Sequence, residues 1–104
     1  MNLEEIIMQI IISGGDSKSY VMEAIEEARN RNIEKARELI KKADTQLRNA
    51  HSIQTELIQN EARGEKITVE LLMVHAQDHL MNAITVRDLG EQLVNMYEMF
   101  LKEC

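Results

Sequence analysis

Ile7-Met8-Gln9-Ile10-Ile11-Ile12-Ser13-Gly14-Gly15-Asp16-Ser17-Lys18-Ser19-Tyr20-Val21 is the stretch on which the number of helices turns. A glycine in a helix interior costs roughly 1 kcal/mol relative to alanine, so the Gly14-Gly15 pair is the natural place for a break. The apolar spacing nevertheless runs straight through it. Leu3, Ile7, Ile10, Gly14, Ser17, Val21, Ala24 and Ala28 step alternately by four and three residues without losing phase, as one face of a single helix does. We therefore expect one helix over residues 3–29, with two shorter helices divided at the glycines as the alternative. In the continuous helix, Gly14 and Ser17 form a packing notch where a neighbouring backbone or side chain can approach closely.

The rest of the chain extends this pattern. Proline is absent and only 4 glycines occur in 104 residues, which with abundant Glu, Lys, Leu, Ala and Met reads as all-α. Asn32 is placed to N-cap a second helix over 33–63. Its stripe of Ile33, Ala36, Ile40, Ala43, Leu47, Ala50, Gln54 and Leu57 runs until Gly64 ends it. Thr68 reads as the N-cap of a third helix over 69–102, with Ile67 stapled to Leu72 and Glu70 in the first turn. Three long helices with short breaks imply one antiparallel three-helix bundle spanning residues 1–104.

A formal net charge of -6 argues against a nucleic-acid partner, which would need clustered Lys and Arg to displace counterions. A basic protein partner is electrostatically acceptable. Met1-Asn2-Leu3-Glu4-Glu5 has no basic lead-in, and the apolar run from Ile6 to Ile12 is interrupted by Gln9 and too short to span a bilayer. The single cysteine, Cys104, has no partner for an internal disulfide. These features together lead us to expect a cytoplasmic protein.

The third helix breaks its own rule. One stripe reads Leu72, His75, His79, Asn82, Val86, Leu89, Leu93, Met96 and Phe100, and its neighbour reads Leu71, Val74, Asp78, Met81 and Thr85. Polar groups therefore occupy positions where the period asks for apolar ones, and burying them unpaired costs roughly 1–3 kcal/mol each, more for a charge. Such local rule-breaking is most often functional. Two adjacent stripes also make a face wider than two partner helices cover, so several copies are expected to associate through helix 3. One stripe would then face a symmetry axis and the other the helices of its own chain. Asp78 would meet its symmetry mates, and clustered carboxylates need protons or an oxygen-preferring cation such as Mg2+.

His75 and His79, four residues apart, project from one helix face about a turn apart, and three readings compete for them. The His75-Ala76-Gln77-Asp78-His79 segment is one conservative change from the His-x-x-Glu-His zinc motif, and His51 would have to complete a set of three ligands. A structural reading makes the histidines hydrogen-bonded core residues of an adaptor bundle without chemistry. Phosphoryl transfer asks for a neutral imidazole as nucleophile and for donors to the phosphoryl oxygens. Histidine suits that role because an imidazole titrating near roughly 6.5 keeps a free lone pair at neutral pH. On this reading His75 is the nucleophile and His79 donates from the same face. Gln77 points to the opposite side of the helix and would serve the His75 of a neighbouring subunit.

With His75 to Met81, Ile11-Ile12-Ser13-Gly14-Gly15-Asp16, Ala50-His51 and Gln54-Thr55 in order, the chain resembles the IIA component of the lactose/cellobiose branch of the bacterial sugar phosphotransferase system. The resemblance implies a homotrimer of three-helix subunits. It implies that His75 accepts a phosphoryl group from the phosphohistidine of HPr and passes it to the cysteine of a IIB component, so that the chain binds no sugar and meets the membrane only through the IIC transporter. It also implies Asp78 from three subunits at the trimer axis holding Mg2+ or another divalent cation, with His79 and Gln77 as aids to the phosphoryl group. His51 matches a recurring family position and is read as structural, hydrogen-bonded beside a Gln54-Thr55 turn. The Val74-His75-Ala76-Gln77 wording resembles the cellobiose and diacetylchitobiose members more than the lactose members, which more often carry Gly after the histidine.

Overall fold

The computed structural model describes residues 2–103, so Cys104 lies outside the described residues. Three α-helices account for nearly all of them: α1 (Leu3–Arg29), α2 (Ile33–Ala62) and α3 (Leu71–Glu103). α1 is continuous across Gly14-Gly15. Its expected stripe is its buried face, from Ile7 through Gly14 and Ser17 to Ala28. Burial of the neighbouring apolar positions outweighs the helix cost of the two glycines.

The ends are set by backbone geometry as much as by capping side chains. Asn2 caps α1, its Oδ1 accepting from Glu5 N at 2.9 Å. At the other end Asn32 N donates to Glu27 O and Arg31 N to Ala28 O, the paired bonds of a Schellman closure. That closure puts Arg31 at φ 72, a conformation costing a side chain-bearing residue roughly 1–2 kcal/mol. The same closure ends α2, where Gly64 at φ 93 takes the position without that cost. Asn32 is the N-cap of α2 as expected, but its side chain makes no cap bond and donates to Glu27 instead. Thr68 does not cap α3. The backbone stays irregular through Glu70, whose carbonyl accepts the first helical bond, from Val74 N.

Contacts between helices fix an up-down-up bundle of 57 × 20 × 19 Å. α1 and α3 run parallel, Gly14 lying against His79 and Val21 against Gly90. α2 runs against both: Ser17 Oγ donates to Ala43 O at 3.1 Å, and Asp44, Arg37 and Gln54 pair with Arg87, Glu98 and Gln77. The core falls into two clusters. One is built around Ile10, Leu47 and Leu80, the other around Val21, Ile40 and Val94.

Between the clusters lies a waist of small and polar groups. Ser17 is fully buried there, and Arg87 reaches Asp44 through two nitrogens and Glu91 through one. The hydrogen bond to Asp44 is the main reason the Arg87 guanidinium is held above its ordinary pKa, against some desolvation. Bidentate, charge-assisted pairing of this kind locks orientation as well as adding energy.

A further expectation fails. Neither apolar stripe of α3 is its buried face, although His79 and Val86 of the first lie half-buried at its margin; the buried line is a third one, Met73, Ala76, Leu80, Ala83, Gly90 and Val94. Half of these residues are alanine or glycine, too small to stand out in a hydropathy pattern, yet they let the helices approach closely. Leu71, Leu89, Met96 and Phe100 are all more than half exposed. No helix among the described residues is long and apolar enough to cross a membrane.

Gly90 tests this packing. A Cβ added there would overlap the Val21 Cγ1 methyl, and valine has little freedom to rotate away inside a helix. Gly90→Ala is expected to lose about 1–3 kcal/mol of stability through overpacking despite its better helix propensity. In a double-mutant cycle measured by urea unfolding at fixed protein concentration, Val21→Ala should offset part of that loss.

Candidate functional site

The polar residues singled out on α3 occupy its first half. Taking about 100° per residue, Leu71, Asp78, Asn82, Thr85, Leu89, Met96 and Phe100 form one narrow outward seam. His75 and His79 lie about 40–80° to one side of it, and Val74, Met81 and Gln77 about 60–120° to the other. His75 and Asp78 are exposed, while His79 and Gln77 are half-buried.

The two imidazoles are neighbours, their ring centroids 5.6 Å apart and their planes inclined by 27°. His79 rests on the glycine pair of α1. An alanine at 14 would place its Cβ 3.3 Å from His79 Cδ2, and one at 15 would place it 3.4 Å from His79 Nε2. The notch expected from Gly14 is therefore occupied by the ring next to His75. α1 thus serves as the floor on which His79 is set, leaving His75 outermost.

Gln77 faces away from both histidines. Its Oε1 accepts from Gln54 Nε2 of α2 at 2.6 Å, and its own Nε2 approaches Met73 Sδ at 3.4 Å. The sequence placed Gln54 on the α2 stripe without a role. Its signals were a polar residue where the period asked for an apolar one and its place in the Gln54-Thr55 match to the family. These amides edge a groove of 480 Å³ whose walls include Leu57, Ile58, Ile67 and Met81.

Asp78 sits on the seam with Asn82, whose Nδ2 donates to Asp78 Oδ2 at 3.4 Å. Among the described residues no three His, Cys, Asp or Glu side chains come together in one chain as a metal site, so His51 does not complete a zinc set with His75 and His79. His51 is exposed on α2. Its backbone carbonyl, rather than its ring, accepts a bond from Thr55 Oγ1 at 2.9 Å. Gln54-Thr55 lies within the unbroken helix and forms no turn.

An exposed imidazole backed by a second one matches a simple acceptor of a transferred group. Comparison with known proteins agrees. Residues 5–98 match the family model "PTS system, Lactose/Cellobiose specific IIA subunit". The lichenan-specific phosphotransferase enzyme IIA component of Bacillus subtilis is 50% identical over 101 residues, covering 97% of this chain and 92% of that protein. The crystal structure of the cellobiose-specific enzyme IIA of Bacillus anthracis superposes with a TM-score of 0.93 at 42% identity, covering 100% of this chain and 96% of that one. The IIA(Chitobiose) chain, solved in complex with HPr from Escherichia coli, gives a TM-score of 0.83 at 33% identity, covering 96% and 97%.

The floor beneath His79 makes the two glycines unequal. Gly14→Val is expected to lower stability by about 1–3 kcal/mol by driving branched methyls into His79. Gly15→Ala meets only ordinary van der Waals contact and should raise stability by up to about 1 kcal/mol through helix propensity. Thermal unfolding of the two variants at equal concentration checks the order.

Proposed function

The chain belongs to the lactose/cellobiose-specific IIA family of the phosphotransferase system, and from that premise we propose that His75 is the residue on which its phosphoryl group rides. As a member of this family the protein is a phosphotransferase that carries a phosphoryl group on histidine toward a IIB component. The observation that supports His75 over His51 and His79 is its setting. It is exposed, stacked on a second imidazole, and placed beside the apolar seam of α3, whereas His79 is half-buried against the glycines of α1.

The donor is phosphorylated HPr, a role supported by the complex of the related IIA(Chitobiose) with HPr. An imidazole nitrogen of His75 attacks the phosphorus in line as the P–N bond to the donor histidine breaks. The reverse sequence then follows: the new P–N bond breaks as a cysteine thiolate of the IIB component forms a P–S bond. Each step transfers one phosphoryl group between nucleophiles, so neither water nor sugar is required. His79 supplies a donor to the phosphoryl oxygens from the same face, and the protein works in the cytoplasm. The transported sugar is a β-linked disaccharide of the cellobiose or diacetylchitobiose type, with lactose the second choice, a reading supported by the lichenan- and cellobiose-specific relatives.

The functional unit is a homotrimer joined through α3. Support comes from the seam itself, where Leu71, Leu89, Met96 and Phe100 lie in line and exposed at the spacing of a helix that packs on copies of itself. In a threefold arrangement each α3 sets one flank against the opposite flank of the next. The His75 flank of one subunit then meets the Gln77 flank of its neighbour, and Gln77 supplies the second donor. Asp78 lies on the seam and faces the axis. Three such carboxylates with their Asn82 amides suit Mg2+ or another hard divalent cation, whose charge would relieve their repulsion. A single chain contributes only one carboxylate, so the residues fit the cation only as a trimer.

Incubation with phosphorylated HPr is expected to give one acid-labile phosphate per chain, and none with His75→Ala. A label retained by that variant would overturn the assignment. Asp78→Leu removes the axial repulsion. In sedimentation experiments with a chelator it should stay trimeric, and dissociation to monomers would contradict the axial placement.

A further inference from the structure

The hydrogen bond between Gln54 and Gln77 has a direction, and the direction has consequences for a phosphoryl group. A primary amide accepts at its oxygen and donates at its nitrogen. Gln54 Nε2 donates to Gln77 Oε1 at 2.6 Å, which leaves the Gln77 nitrogen as the end still available. One of its N–H groups faces the Met73 thioether at 3.4 Å, a weak acceptor, and the other has no acceptor among the described residues. A phosphoryl group presents oxygens that accept hydrogen bonds. An amide turned the other way would set oxygen against oxygen.

The bond is also well placed to hold that orientation. Both side chains are half-buried and lie in a largely apolar groove with Leu57, Ile58 and Ile67 in its walls and the Glu61 and Asp78 carboxylates also lining it. There a hydrogen bond is stronger than in water and less readily exchanged. The Met81 sulfur, 3.7 Å from Gln54 Nε2, closes the other side.

We propose that Gln54 is a positioning residue for phosphoryl transfer, holding the Gln77 amide so that its NH2 donates to the phosphoryl oxygens carried by the His75 of the partner subunit. This rests on the reading that Gln77 serves a neighbouring His75. Gln54 touches neither the phosphoryl group nor its donor. It acts by preventing the Gln77 amide from flipping, so that the site is organised before the phosphoryl group arrives.

Substitutions that change the sign of the hydrogen bond test it on the full chain. In Gln54→Glu an acceptor-only group stands where the donor was, which draws the Gln77 NH2 inward and turns its oxygen out. Phosphoryl uptake from phospho-HPr should slow on the order of tenfold or more, in kcat and with KM for HPr little changed. Gln54→Lys keeps a donor and should retain most of the wild-type rate. In a Gln77→Leu background, Gln54→Glu should cost nothing further. Sedimentation of each variant separates slow transfer from loss of the trimer. Wild-type rates in Gln54→Glu, or the same loss with and without Gln77, would overturn the proposal while leaving the role of His75 intact. Failure of the wild-type protein to take acid-labile phosphate would instead defeat the parent reading.

Discussion

The close approach of α1 to α3 governs everything else in the bundle. Gly14 against His79 and Gly90 against Val21 bring the two helices together at two levels, and side chains larger than these would hold them apart. The line of α3 that turns inward is Met73, Ala76, Leu80, Ala83, Gly90 and Val94, in which the alanines and the glycine leave room for the close approach. Ile84, Val86 and Tyr97 pack at the margins of the core, and Leu71, Val74, Met81, Leu89, Met96 and Phe100 are left facing out. The outward seam is thus a consequence of the internal packing.

That seam borders the site we propose for phosphoryl transfer. An exposed apolar line on a helix normally belongs at the interior of an assembly. On the outward seam of α3 the apolar residues are Leu71, Leu89, Met96 and Phe100, and the polar ones, Asp78, Asn82 and Thr85, follow one another beside His75 and His79. His79 is set on the glycine floor with its ring against His75, while Gln77 is engaged by Gln54 on the far side of the same helix. On the proposed reading a single subunit holds two half-sites, one on each flank of α3. Threefold association is the arrangement that brings complementary halves together, which is why the trimer and the phosphoryl site belong to one proposal.

The two-cluster core has a bearing on this arrangement. The site lies over the cluster around Ile10, Leu47 and Leu80, while the cluster around Val21, Ile40 and Val94 supports the other end of the bundle. Between them the Ser17–Ala43 bond ties α1 to α2, and the bidentate Arg87–Asp44 pair, with Glu91 holding the guanidinium, constrains the rotation of α3 about its own axis. A small rotation there would turn His75 and Gln77 away from their flanks, so the waist protects the register of the site as much as the stability of the chain.

Much of this was legible in the residues alone. The unbroken phase of Leu3 to Ala28 across Gly14-Gly15 determined that α1 is one helix, and the matching line from Ile33 to Leu57 determined α2 and its buried face, because both periods are carried by residues whose burial the fold rewards locally. The polar interruption at His75, Asp78 and His79 marked the candidate site, because polar groups there broke the period. What only the tertiary structure decided was which face of α3 turns inward, where its first turn begins, and that Gln54 engages Gln77. Those depend on fit between elements. Alanine and glycine make an inward line through their small size, not their hydropathy. Thr68, a good cap by type, is passed over because the connection from Gly64 delivers the chain to α3 only at Leu71, and a hydrogen bond between residues 23 positions apart leaves no period for a sequence to display.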